Sequence, residues 1–240
     1  MGYIDIHSHI ICGIDDGPKT IELSEKMLHK AYNEGFTTIV ATPHCSKGFR
    51  KYSNEDVMKQ CETLDRYAKE HISSEFNVVP GQEIYYNEAS LRHIQSEEVL
   101  PLGSSNYLLL EFDPDVPFSH MLRALREVSM STYFVVLAHI ERYACLYNTK
   151  NLLEIRQMGI LTQMNYADIG GKWYQKSTAF CRKCLRNGFV DFLGTDMHDD
   201  TLRASKAIPA FNWMSKHLDA DYIRRITETN AKDILFTKKG

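Results

Sequence analysis

Cysteine is sparse and unpatterned, with six residues (Cys12, Cys45, Cys61, Cys145, Cys181, Cys184) scattered over 240 positions. That is not the dense, regularly spaced set of a secreted disulfide framework. No apolar run approaches the ~20 residues needed to cross a bilayer, and the N-terminus enters a strand pattern without a signal peptide. A cytoplasmic location is therefore expected. Positive charge is not in excess either: the formal net charge is −3, so no basic face invites nucleic acid or an anionic membrane surface. Repeats, low-complexity linkers and breaks in composition are missing too, which favours one domain over residues 1–240. What is present, 43% hydrophobic and 25% charged residues, is the composition of a soluble globular chain.

Along the chain, short apolar runs alternate with helical patterns. The runs are Tyr3–His7, Thr37–Ala41, Asn77–Pro80, Tyr107–Leu110, Tyr133–Leu137, Ile160–Met164 and Phe189–Leu193. Near-continuous apolar strands separated by helices indicate parallel strands buried on both faces. Between them, Leu23, Met27 and Ala31 form one stripe that stops at Gly35, and Asn54 is placed to cap a helix carrying Val57, Cys61, Leu64 and Ala68. Leu122, Leu125 and Val128, then Leu152, Ile155 and Met158, continue the pattern. Leu185 sits in a helix ending near Gly188, and Asp221–Phe236 places Ile223, Ile226 and Ile234 for packing. Seven β-α units without a boundary predict an α/β fold, a barrel one strand short of the usual eight.

The residues just past the apolar runs carry the chemistry. The first run ends in His7 and His9, which share a strand face, and Asp16 follows in the next turn. The second leads into His44, the third into Glu83, the fourth into Glu111, the fifth into His139 and the seventh into Asp196 and His198. Only the sixth lacks such a residue. In a parallel α/β barrel all strand C-termini open on one face, where active sites sit. Five imidazoles and four carboxylates therefore converge there, and carboxylates so close repel unless cations or protons neutralise them. Imidazole and carboxylate donors without thiolate suit Mn, Fe or Zn, with the carboxylate share leaning toward Mn.

Several motifs are more specific: His7-Ser8-His9, Asp15-Asp16-Gly17-Pro18, Thr42-Pro43-His44, Gly81-Gln82-Glu83-Ile84, Leu110-Glu111-Phe112, Ala138-His139-Ile140-Glu141-Arg142-Tyr143 and Thr195-Asp196-Met197-His198. They resemble, in order and over nearly the whole chain, those of the PHP (polymerase and histidinol phosphatase) superfamily, most closely its bacterial capsule-regulating protein-tyrosine phosphatases. The resemblance implies a distorted seven-stranded (β/α)7 TIM-like barrel holding three divalent metals, usually manganese. It implies that His7, His9, Glu83 and Asp196 hold the first metal. Glu83 would bridge to a second, shared with Glu111 and His139, and Asp16, His44 and His198 would hold the third. Met197 and Asp199 depart from the small residue and Asn that the family often has around its last ligand.

Three divalent ions against four carboxylates leave such a pocket net positive, which suits a phosphate monoester dianion. The expected reaction is in-line attack by a hydroxide bridging two metals, with Arg142 as the guanidinium on the phosphoryl oxygens and Arg203 as a second. A phenol of pKa about 10 leaves readily without a dedicated acid. The expected substrate is phosphotyrosine on a protein tail, such as that of a bacterial tyrosine autokinase controlling capsular or exopolysaccharide synthesis. The alternatives are a small phosphate such as histidinol phosphate, or a non-catalytic phosphotyrosine-binding scaffold. The sequence leaves the oligomeric state open.

Other features are set aside. Cys45 and Arg50 are separated by four residues, one short of the Cys-x5-Arg loop of cysteine-dependent phosphatases. Cys181 and Cys184 have redox or zinc spacing but lack a second pair and read as mid-helix. The stretch Asn165–Tyr174 has glycines but no Walker arrangement; its aromatics line a substrate cleft or pack on the rim. Tyr85, Tyr86, Phe112 and Tyr143 are candidates to flank a substrate ring. Lys238 and Lys239 are read as solvated, and His29, His71, His93, His120 and His217 receive no role.

Overall fold

The computed structural model describes residues 2–45 and 52–236. The chain runs β1 (Tyr3–Ser8), α1 (Ile21–Asn33), β2 (Phe36–Ala41), β3 (His44–Cys45), α2 (Asn54–His71), β4 (Asn77–Pro80), β5 (Glu83–Tyr85), α3 (Glu88–Gln95) and β6 (Tyr107–Glu111). It continues through α4 (Phe118–Ser129), β7 (Phe134–Leu137), α5 (Thr149–Gln157), β8 (Leu161–Asn165), α6 (Tyr166–Ile169), α7 (Lys176–Arg186) and β9 (Phe192–Gly194). The helices α8 (Ala207–His217), α9 (Ala220–Arg224) and α10 (Asn230–Phe236) complete it.

All the strand pairings are parallel, in a three-stranded sheet (β1-β2-β4) and a six-stranded one (β3-β5-β6-β7-β8-β9). Among the described residues, two interruptions make this nine strands rather than seven. Pro43 follows β2 and Pro80-Gly81 closes β4; a proline has no N–H for the ladder. The chain then re-enters as β3 and β5, whose ladder is a separate one. Counting β2–β3 and β4–β5 as two interrupted strands restores the seven units of the sequence pattern. The array is joined at its other side by a bridge between Ser8 and Met197, with Asp196 N–H donating to His7 O (2.8 Å) and His9 N–H to Met197 O (2.9 Å). First and last strands thus meet at the very residues expected to be ligands.

Alternation along the strands builds two apolar layers. Ile4, Ile6, Val40, Leu109, Val136 and Phe192 pack together inside the curve of the sheet, closed at one end by Ala231 and Leu235 of α10. Their neighbours Ile39, Leu108, Leu110, Val135 and Leu137 face outward against the helices. The helical stripes bury as the 3.6-residue period predicts, including Val57, Cys61, Leu64 and Ala68 on α2. The cap of α2 is Ser53, not Asn54. Ser53 Oγ accepts from Asp56 N–H (3.1 Å) while the Asp56 carboxylate accepts from Ser53 N–H (2.8 Å), a reciprocal pair that Asn54 is one residue too late to make. The final stretch is not one uniform helix: a widened i→i+5 turn over Arg225–Thr229 separates α9 from α10 and buries Ile226. No helix among the described residues is long and apolar enough to cross a membrane.

Candidate metal centre

The nine residues singled out as metal ligands meet at the C-terminal ends of the strands. Their ligand atoms fall into four overlapping groups, each within 4.8 Å: His9, Asp16, His44 and His198; His7, His9 and Asp196; His7, Glu83 and His139; His44, Glu83 and Glu111. Glu83, the first residue of β5, is the hub. Its Oε1 lies 2.9 Å from His139 Nε2 and 3.3 Å from His7 Nε2, and its Oε2 lies 2.9 Å from His44 Nδ1 and 3.3 Å from His9 Nε2. Glu111 Oε1 stands 3.4 Å from His139 Nε2, and Asp16 Oδ1 stands 3.2 Å from His198 Nε2.

Three of the rings are anchored from behind. His7 donates from Nδ1 to Gln163 Oε1 (3.2 Å), His9 from Nδ1 to Asp15 Oδ2 (2.7 Å), and His198 from Nδ1 to the Asp196 carbonyl (2.9 Å). In a neutral imidazole this leaves the other nitrogen as a lone pair. Those inward nitrogens face one another and carboxylate oxygens: His7 Nε2 and His9 Nε2 are 3.2 Å apart, and each lies near Asp196 Oδ1, at 3.6 and 3.4 Å. Glu83 Oε2 is buried with ring nitrogens, those of His44 and His9, beside it. Lone pairs so opposed need cations or protons between them, and this donor set fits divalent ions bound by imidazole and carboxylate.

The electrostatics of the ion-free protein say the same. Burial works against charge on His9, His44 and His139, yet the adjoining carboxylates outweigh it. They hold His44 and His139 up at about 9 and His9 well above its ordinary value. Burial likewise pushes Glu83 and Asp196 up, and the surrounding imidazoles, with Arg142 beside Asp196, carry both well below the usual carboxylate range. Two guanidiniums join the balance. Arg142 donates to Asp196, and Arg203 donates to Asp16 Oδ2 (2.6 Å) and to His198 Nε2 (2.8 Å). Both arginines expected at the phosphate therefore reach the cluster, each bonded to a member of it.

Other expectations divide. Tyr143 is fully buried, its hydroxyl accepting from Phe112 N–H (3.2 Å) and lying 3.4 Å from His139 Nδ1; it supports the site and cannot flank a substrate ring. Phe112 is also buried, while Tyr85 and Tyr86 are half-buried beside it around a cavity of about 340 Å³. Trp173 and Tyr174 are 80% and 63% exposed, so they do not pack on the rim. Cys181 and Cys184 are buried in α7, and Cys45 is buried; Arg50, Lys238 and Lys239 lie outside the described residues. The five histidines given no role are absent from the four groups. Sequence reasoning missed Asp15, Gln163 and Asn165 as supports. Asp15 stands in a quoted motif, whereas nothing in the pattern around Gln163 marks it.

A family model for capsular polysaccharide synthesis, CpsB/CapC, matches residues 3–236. This chain belongs to that family. It is 31% identical over 238 residues to the tyrosine-protein phosphatase CpsB of Streptococcus pneumoniae, covering 97% of this chain and 98% of the relative. It is 29% identical over 239 residues to the tyrosine-protein phosphatase YwqE of Bacillus subtilis (strain 168), covering 97% and 91%. A crystal structure from the pair YwqE of Bacillus subtilis and CpsB of Streptococcus pneumoniae, described as metal-dependent tyrosine phosphatases, matches with a TM-score of 0.85 and 27% identity. That match covers 98% of this chain and 95% of the other. The family is the one the motifs resemble, and the array of parallel strands is the fold that this chain shares with that structure.

Proposed function

We propose that this CpsB/CapC-family member is a metal-dependent protein-tyrosine phosphatase, and that its nine-residue cluster holds three divalent cations, manganese by preference. The observation that carries this is the set of inward-facing ring nitrogens and carboxylate oxygens, anchored from behind and 3.2–3.6 Å apart around Asp196, His7 and His9. His7, His9 and Asp196 would hold one ion with Glu83, whose Oε1 lies beside both His7 (3.3 Å) and His139 (2.9 Å) and so suits a ligand shared between two ions. His139 and Glu111 would complete a second, and Asp16, His44 and His198 a third. Divalent ions so held activate water at neutral pH and neutralise charge developing on a phosphoryl group.

The remaining work falls to the chain. Arg142 and Arg203, with side chains 39% and 46% exposed, bond cluster carboxylates from the solvent side. With cations neutralising Asp196 and Asp16, the same guanidiniums are placed to take phosphoryl oxygens. The asymmetry of exposure favours a protein substrate: His7, His9 and Glu83 are buried, whereas the Asp16 side chain is 42% exposed. A phosphate can reach the cluster from an open rim without the whole substrate being enclosed. This favours phosphotyrosine on a flexible tail over a small monoester such as histidinol phosphate. A bacterial tyrosine autokinase of capsule or exopolysaccharide synthesis is the substrate that family membership supports.

The test is turnover of phosphotyrosine peptides and of histidinol phosphate, with chelator and with Mn²⁺ restored. Phosphotyrosine should be the better substrate, activity should vanish on chelation and return with Mn²⁺, and thiol alkylation should leave it intact. Burial pushes the Cys61 and Cys184 thiols up to about 12, so neither is a thiolate at neutral pH. Turnover that survives complete chelation but is lost to alkylation would overturn the proposal.

A further inference from the structure

β8, the sixth of the seven strand units and the one whose end supplies no candidate ligand, carries a side chain bonded to a candidate ligand on β1 and to another just after β7. Gln163 is fully buried. Its Oε1 accepts from the backbone N–H of His139 (2.7 Å) and from Nδ1 of His7 (3.2 Å). A backbone amide can only donate, so this contact fixes which end of the carboxamide is oxygen. The other end follows: Gln163 Nε2 donates to Asn165 Oδ1 (2.9 Å), and Asn165 Nδ2 then donates to Asp196 Oδ2 (3.1 Å). Asn165 is itself held by its N–H to Glu141 Oε1 (3.0 Å).

We infer that Gln163 is the positioning residue of the metal centre, one carboxamide that orients His7, His139 and, through Asn165, Asp196. The inference rests on the proposed metal-dependent function and assigns that site a support on its ligand-free strand. Three physical consequences argue for it. An oxygen facing Nδ1 places the His7 proton there and leaves Nε2 as the inward donor. His139 has φ +29° and Asp196 φ +51°, the left-handed region in which a non-glycine residue costs energy and persists only when its surroundings hold it. Gln163 bonds the amide of the first, and Asn165 bonds the side chain of the second. Space for the arrangement comes from β9, where a Cβ on Gly194 would lie 2.6 Å from His7 Cβ and 2.8 Å from Gln163 Nε2.

The test measures Mn²⁺ binding calorimetrically on ion-free wild type, Gln163→Met, Gln163→Glu and Gly194→Ala, with circular dichroism as the check of folding. Gln163→Met keeps the volume and removes all three bonds. It should weaken Mn²⁺ binding by about 10- to 100-fold, the usual effect of losing an outer-shell partner. Its kcat at limiting Mn²⁺ should fall and recover with excess Mn²⁺, while KM for a phosphotyrosine peptide stays near the wild-type value. Gln163→Glu keeps the oxygen toward His7 and His139 and should bind Mn²⁺ more tightly than Gln163→Met. Gly194→Ala should reproduce the loss from the other side, and supplies the answer if Gln163→Met does not fold. Wild-type Mn²⁺ affinity in folded Gln163→Met, or in Gly194→Ala when only that variant folds, would overturn this inference and leave the proposed function standing. Failure of wild type itself to bind Mn²⁺ would overturn both.

Discussion

At the scale of single residues, the centre divides into side chains that face inward and side chains that hold them. His139 and Asp196 are inward members on left-handed backbone. His139→Ala or Asp196→Ala should lower kcat/KM by more than the roughly 100-fold that losing an outer-shell partner can cost, measured with Mn²⁺ in excess. Arg142 lies nearer solvent, so Arg142→Ala should instead act on phosphate engagement. Losing a charged hydrogen bond of about 1.5–3 kcal/mol predicts a KM raised roughly 10- to 100-fold; unchanged kcat and KM would remove its role. Protons mark the same cluster. With His44 and His139 at about 9 against an ordinary 6.5, both are protonated at pH 7 in the ion-free protein, and a cation must displace those protons. Mn²⁺ affinity should therefore tighten as pH rises toward 9 and level off above it. Calorimetry in buffers of different ionisation enthalpy should register the released protons.

At the scale of elements, the two ends of the strands do different work. At the end away from the site, Arg156 of α5 donates to Asp191 Oδ2 (2.5 Å) and Oδ1 (3.3 Å), and Asp191 also accepts from the N–H of Thr162 (2.9 Å). This ties α5, β8 and the start of β9 together. Asp191→Ala leaves the Thr162 amide without its acceptor and the half-buried Arg156 guanidinium without its carboxylate, with the Phe189 carbonyl (3.1 Å) and Thr162 Oγ1 (3.1 Å) left to accept from it. It should cost about 1–3 kcal/mol in denaturant unfolding while kcat per folded molecule stays unchanged. The strands themselves were readable because parallel strands buried on both faces are apolar throughout: runs such as Tyr107–Leu110 match β6 closely. The short β3 and β5 were not, since His44-Cys45 and Glu83-Ile84-Tyr85 are too brief and too polar to stand out beside the prolines that precede them. Their pairing is decided by neighbours, with His44 opposite Glu83 and Tyr85 opposite Glu111.

At the scale of the whole molecule, the centre joins segments nearly two hundred residues apart, from His7 to His198. Cations bound there should stabilise the fold as a whole. Saturation about 100-fold above Kd contributes ~2.7 kcal/mol per site, which for a chain of this size predicts a Tm raised in Mn²⁺ over chelator by roughly 5–10 °C for each site filled. Scanning calorimetry checks this; equal Tm values would mean that the ion-free fold binds no cation.

The sequence by itself determined the α/β class, the order of the parallel units and the nine inward side chains. Residue type is fixed position by position, and strand ends of a parallel array share one face. Only the tertiary structure decided which atoms face each other and what holds them. Asp15 behind His9 and Tyr143 against Phe112 and His139 stand in recognisable motifs that do not say what they support, and Gln163 between His7 and His139 has no local signature, because it does its work on residues supplied by other strands. The splitting of two strands into four and the closure of β1 onto β9 belong to the same class. They follow from where prolines fall relative to a neighbour's ladder, and a ladder exists only once the chain has folded.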